Sequence, residues 1–142
     1  MYDALVVAHV ACALIGFGSV ALSGVYGAIA RRPQTPRSTD ETARYFGSPN
    51  RAGWLLLAVP FLGAGALAMR PTKGDIGDVW VAGGLAIWAV AAVLLLAVVR
   101  PVEGRLRRGV DLASSGRLLM WASVASDVMF VAALGLMVTQ PK

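Results

Sequence analysis

Residues 79–99 read VWVAGGLAIWAVAAVLLLAVV, 21 consecutive positions without a charged side chain. A helix rising about 1.5 Å per residue needs about 20 apolar residues to cross a hydrocarbon core of about 30 Å. This stretch alone predicts a membrane span, and the rest of the chain repeats the pattern. Residues 4–30 (27 positions) and 52–69 (18 positions) are likewise uncharged, and 118–138 (21 positions) carries only Asp127. The runs are continuous, whereas the strands of an outer-membrane barrel would alternate over segments of about 10 residues. The expected fold class is all-α: a polytopic four-helix bundle making one transmembrane domain over residues 1–142.

Composition points the same way. The chain is 57% hydrophobic and 15% charged, where a soluble domain is about 45–50% apolar and about 25% charged. Pro33, Pro71, Pro101 and Pro141 each follow an apolar run within three residues and predict its end, because proline lacks an N–H and restricts its predecessor. Pro60 falls inside the second run and predicts a kink or a loosened turn there. Trp54, Trp80 and Trp121 sit near predicted span ends, as interfacial indoles do. Trp88 is mid-span, so its indole N–H requires a partner.

The basic residues set an expected orientation. Arg31, Arg32, Arg37, Arg44 and Arg51 follow the first run, and Arg100, Arg105, Arg107, Arg108 and Arg117 separate the third from the fourth. The opposite side has only Arg70, Lys73 and Lys142. Short basic loops stay cytoplasmic, which places both termini outside and the two basic loops in the cytoplasm of a bacterial inner membrane. The first basic loop should hold a short interfacial helix, with Ser38 to Glu41 at capping-box spacing and Tyr45-Phe46 at headgroup level. No basic n-region precedes the first run, so it is expected to remain as a span. Arg105, Arg107 and Arg108 would also meet anionic lipid headgroups. Nucleic acid is not an expected partner, since no aromatic residues interleave these arginines for base stacking.

Few residues could carry chemistry. One cysteine, Cys12, excludes an internal disulfide, and one histidine, His9, excludes a pair of His ligands. No phosphate-binding glycine loop, HExxH or Ser/His/Asp set is present. Asp127, with Ser123 one turn earlier, is the intramembrane polar site; a carboxylate at that depth costs about 2.5–3.5 kcal/mol on insertion scales. It is therefore expected to face the bundle interior or a partner interface and not lipid, with Ser123, Ser19, Ser23 or Trp88 as possible partner within the chain. His9 could ligate haem, alone or with Met129 or Met137, although a hydrogen-bonded packing histidine is the commoner case. Gly16, Ser19, Ser23 and Gly27 belong to a face of small residues along the first run, which permits close helix packing within the chain or against a partner. Cys12 belongs to the same face.

His9 followed by small residues, the Arg51-Ala-Gly-Trp-Leu opening before Pro60, and the ending Leu136-Met-Val-Thr-Gln-Pro141 resemble a family of uncharacterised bacterial proteins predicted to be four-span integral membrane proteins. The resemblance covers most of the chain through short motifs. Members commonly carry an acidic residue just before the second-span Trp, where this chain has Gly53. A more distant likeness is to the small membrane protoporphyrinogen oxidases, which would imply a haem. The aromatic and charged residues around the first span of that family are missing here.

The functional expectation is a non-enzymatic accessory subunit of a larger inner-membrane complex, without a cofactor. That complex would be a transport assembly, a lipid transporter included, or a respiratory one. Partner helices would bind through the small-residue faces. The alternative is a haem-binding oxidoreductase or electron carrier using His9. Self-association into a homo-oligomer is a further expectation.

Overall fold

The computed structural model describes residues 1–33, 35–69 and 78–139. Helix α1 spans Tyr2–Ala30, α2 Pro36–Gly47, α3 Leu55–Ala68, α4 Val79–Leu94, α5 Arg100–Arg107 and α6 Leu112–Thr139, with a 3₁₀ turn at Ala52–Trp54 leading into α3. Among the described residues there is no strand. Residues 2–30, 79–107 and 112–139 are each long and apolar enough to cross a membrane. A fourth crossing counts α2 with Ala52–Ala68 as one span bent by 48°. The chain is therefore a multi-pass membrane protein by the length and composition of its helices.

Two sequence expectations are corrected by local chemistry. The capping box of α2 is not at Ser38 to Glu41. The cap is Thr35, whose hydroxyl oxygen accepts from the Ser38 N–H while Ser38 Oγ accepts from the Thr35 N–H. Pro36, whose missing N–H costs nothing in a first helical turn, starts the helix one turn earlier than expected. Glu41 is engaged instead by Arg37 Nε at 3.0 Å on the exposed face. Nor does Pro101 stop the third run. A π-helical turn over Leu95–Val99 widens the helix just before it, and the chain continues as α5 with Pro101 in its first turn. The wide turn receives the proline ring and the freed carbonyls without breaking the axis. Pro71 and Pro141 lie outside the described residues.

Helix α1 is the centre of the bundle and packs along α3 on one side and α6 on the other, while α4 and α5 pack on α6. The close approach explains why α1 is so rich in small residues. A Cβ at Gly16 would lie 2.9 Å from the Leu56 backbone nitrogen. A Cβ at Gly27 would lie 2.9 Å from the Gly116 carbonyl oxygen. Leu56, Leu119, Val20 and Val99 fill the resulting core and are essentially inaccessible. The small-residue face is thus closed on α3 and α6 of the same chain, and Cys12 packs against that core. Of the glycines, Gly109 needs its freedom for conformation rather than space: at φ +67 it turns the chain from α5 to α6.

Between α3 and α4 a single side chain resolves two sequence oddities. Pro60 cannot donate to the carbonyl four residues back, which is that of Leu56. Trp88 Nε1 donates to this carbonyl at 2.8 Å. The mid-span indole and the mid-span proline therefore satisfy each other across the seam. Trp88→Phe should destabilise the bundle by about 1–3 kcal/mol, the cost of a buried acceptor left unpaired. In a Pro60→Ala background, where the introduced alanine supplies its own N–H to Leu56, the same change should cost clearly less. Unfolding midpoints of the four proteins of that cycle check the coupling, and additive losses would contradict it.

Candidate functional site

Three polar places stand out in an otherwise apolar molecule. The first lies at the arginine-rich end, where Ser19 and Ser23 on α1, Tyr45 on α2, Asn50 in the linker to α3 and Glu103 on α5 converge. Glu103 is only 3% exposed. Ser23 Oγ donates to Glu103 Oε1 at 2.5 Å, and Ser23 Oγ lies 2.9 Å from the Tyr45 hydroxyl. The serine has one proton, and the short bond to the carboxylate takes it, so the tyrosine is the donor in the second bond. Asn50 Nδ2 reaches Ser23 Oγ at 3.3 Å, with Glu103 Oε1 and the Ser19 carbonyl at 3.4 Å each. The result is a donor chain running Tyr45, Ser23, Glu103, as a buried carboxylate requires.

The Tyr45 ring stacks on Tyr26 with centroids 4.0 Å apart. Arg107 Nε donates to the Phe46 carbonyl at 2.9 Å and so ties α5 to the end of α2. Arg105 and Arg108 stand exposed beside it. Arg100 stacks over Trp54, 4.4 Å from the ring centroid.

Glu103 was not legible as a site residue from sequence, because it sits among arginines and reads as part of a solvated loop. The signal that could have found it is the spacing of Val99, Val102 and Leu106 around it, which is helical only if the helix runs through Pro101. Ser19 and Ser23, buried on the small-residue face of α1, also belong to this cluster.

The second place is at the opposite end, around His9. Its Nδ1 lies 2.8 Å from the Val59 carbonyl oxygen. Gly63 makes room for the ring: a Cβ there would lie 3.0 Å from His9 Cε1 and 3.1 Å from Nδ1. The imidazole borders a partly open, apolar cavity of about 70 Å³ that Met137 also lines. Met129 packs against the core instead. An apolar cavity of roughly 150 Å³ is what admits benzene, so a porphyrin would have to part the helices to reach His9.

The third place is Asp127. It lies at the border of the packed face of α6, with Ser123 and Ser126 buried and Val124, Val128 and Val131 exposed around it. It is itself partly exposed, at the edge of that face. None of the partners expected from sequence is engaged with it. Trp88 holds Leu56, Ser19 and Ser23 hold the first cluster, and Ser123 is packed against Gly24. Among the described residues no hydrogen bond or ion pair to the Asp127 carboxyl is found. Nor do they contain a group of three or more His, Cys, Asp or Glu placed to hold a metal ion.

No family model, curated protein or solved structure matches the chain.

Proposed function

We propose that this chain is a non-enzymatic subunit of a larger membrane assembly, and that Asp127 is where a helix of another chain docks. The observation that carries this reading is the unpartnered carboxyl. From residue 118, the start of the apolar run, Asp127 is nine residues in, about 13 Å along the helix. A side chain so short does not reach the interface from that depth. Exposed to acyl chains it would cost about 2.5–3.5 kcal/mol, and the bundle supplies nothing to offset this.

The surrounding surface suits a helix. Val124, Val131 and Leu134 are exposed beside Asp127 as an apolar contact strip, and a Cβ at nearby Gly135 would meet nothing within 4 Å. Charge complementarity selects the occupant: a helix of a different polypeptide with a hydrogen-bond donor at this depth. A second copy would offer another carboxyl, and one of the two must take up a proton before they can bond. The small-residue face of α1, closed within the chain, is not the docking surface in this reading. Both basic loops then face the bacterial cytoplasm, with Arg105 and Arg108 free for anionic headgroups.

Purification of the tagged chain from its native membranes in mild detergent, followed by mass spectrometry, tests the proposal. A stoichiometric membrane partner is expected. Asp127→Asn should retain it, because the amide still hydrogen-bonds, and Asp127→Leu should weaken it about fivefold, the equivalent of one interhelical hydrogen bond. Recovery of the monomer alone, or of a homo-oligomer indifferent to both variants, would overturn the assignment.

A further inference from the structure

The cavity beside His9 has a chemistry that its lining does not explain. Its walls come from α1, α3, α4 and α6, and Phe17, Gly84, Trp88, Phe130 and Met137 leave it almost wholly apolar. The exception is the imidazole. The Val59 carbonyl carries no proton, so His9 Nδ1 is the donor in the bond between them. In the neutral ring Nε2 is then a lone-pair acceptor, and among the described residues nothing donates to it. The neighbouring indole N–H is already committed to Leu56.

Water does not fill this role. A buried water needs two to four polar partners, and the cavity offers one. An ordinary acyl chain would fill the space and leave Nε2 unpaired in a medium where an unpaired polar group is costly. The complementary occupant is an apolar body with a single hydroxyl donor at its end. Size narrows this further. At about 70 Å³ the cavity admits a slender chain end rather than a ring, and its open side lets the remainder of the molecule lie in the bilayer. Depth narrows it again. His9 lies five residues into the apolar run that begins at residue 4, about 7.5 Å below its start. A charged phosphate headgroup is not drawn to that level, whereas an uncharged hydroxyl is.

We infer that this cavity is a binding site for a single-chain, hydroxyl-terminated lipid, a long-chain or isoprenoid alcohol, whose O–H donates to His9 Nε2. The bond between Nδ1 and Val59 holds the ring for this purpose, and Pro60 with Trp88 braces the wall behind it. The site is separate from the Asp127 surface, so either assignment stands without the other.

The test uses the full chain in phosphatidylcholine nanodiscs and 1-hexadecanol bearing a photoreactive diazirine close to the hydroxyl. Cross-linking is expected on the tryptic or chymotryptic peptides that contain His9 to Phe17 and Phe130 to Met137. Unlabelled 1-hexadecanol should compete about tenfold better than hexadecyl methyl ether, which has the same shape and no donor. His9→Leu should abolish that preference. Gly84→Leu, which fills the cavity from α4 without touching His9, should abolish the labelling itself and guards against a His9 variant that misfolds. Farnesol in place of hexadecanol separates an isoprenoid from a straight-chain preference. Equal competition by alcohol and ether, labelling elsewhere in the bundle, or purification with a Soret band that His9→Leu removes would each overturn the inference.

Discussion

Gly116→Ala should force α1 and α6 apart and lower the stability of the bundle by about 3 kcal/mol, the upper part of the range for overpacking a filled core. A Cβ at Gly116 would collide with the Gly27 carbonyl oxygen and lie 3.1 Å from the Arg31 nitrogen. Both obstacles are backbone, so no rotamer change relieves them. Gly24→Ala should behave similarly, since its Cβ would run into the Ser123 side chain. Gly18 supplies the control. It lies on the same helix, and a Cβ there meets nothing within 4 Å, so Gly18→Ala should shift stability by no more than about 0.5 kcal/mol. The single cysteine provides the readout: Cys12 packs against the core, and its rate of thiol modification in detergent against temperature reports opening of the α1 interfaces. Equal midpoints for Gly116→Ala and Gly18→Ala would contradict the packing described.

Glu103→Ala should cost a comparable amount, about 2–5 kcal/mol. The removed carboxylate is the shared acceptor of Ser23 and Asn50, which keep the Ser19 carbonyl at 3.1 and 3.4 Å, and a hydrogen bond to a charged group contributes about 1.5–3 kcal/mol. The loss should be local in its first effect. Tyr45 would lose the order of its donor chain, and α2 would then be held chiefly by Arg107 and by apolar contacts of Phe46. Trypsin should accordingly cut sooner after Arg37 and Arg44, which are exposed on α2. Glu103→Gln keeps one acceptor oxygen but brings an extra donor into a cluster already rich in donors, and should fall between wild type and Glu103→Ala. Unchanged cleavage in Glu103→Ala would show that the cluster does not anchor α2.

What the sequence made legible was governed by solvent, and what it hid was governed by neighbours. Apolar runs of 18 to 27 residues give helices because no other local structure satisfies its backbone in hydrocarbon, and all four runs are helical but for the turn at Met69. The small residues of α1 announced close packing, but spacing alone does not say whether the opposing helix belongs to the same chain; Gly116 and Leu56 answer that. Trp88 was recognisable as needing a partner, and Pro60 as needing relief. Their joint solution is a tertiary fact, 32 residues apart between donor and acceptor. Glu103 was hidden because the rule that proline ends a helix is a rule about α-helical turns, and the turn before Pro101 is not one. Asp127 was legible as a problem, and among the described residues the fold gives its carboxyl no hydrogen-bond partner.

The π turn at Leu95–Val99 has a meaning beyond accommodating a proline. Each residue of an α-helix advances the chain about 100° round its axis, and a π turn holds one residue more than an α turn for the same advance. It works as a phase step between two halves of one rod. The apolar half keeps Ala91, Ala92 and Leu95 buried, and the polar half keeps Val102, Glu103 and Leu106 buried. Wound throughout as α-helix, these six positions would share one arc of about 120°; the π turn instead rotates the second buried face by nearly 100° relative to the first, and without it the carboxylate would swing away from Ser23. One residue of slack in a membrane-length helix thus decides whether its buried acid meets hydroxyl donors or lipid.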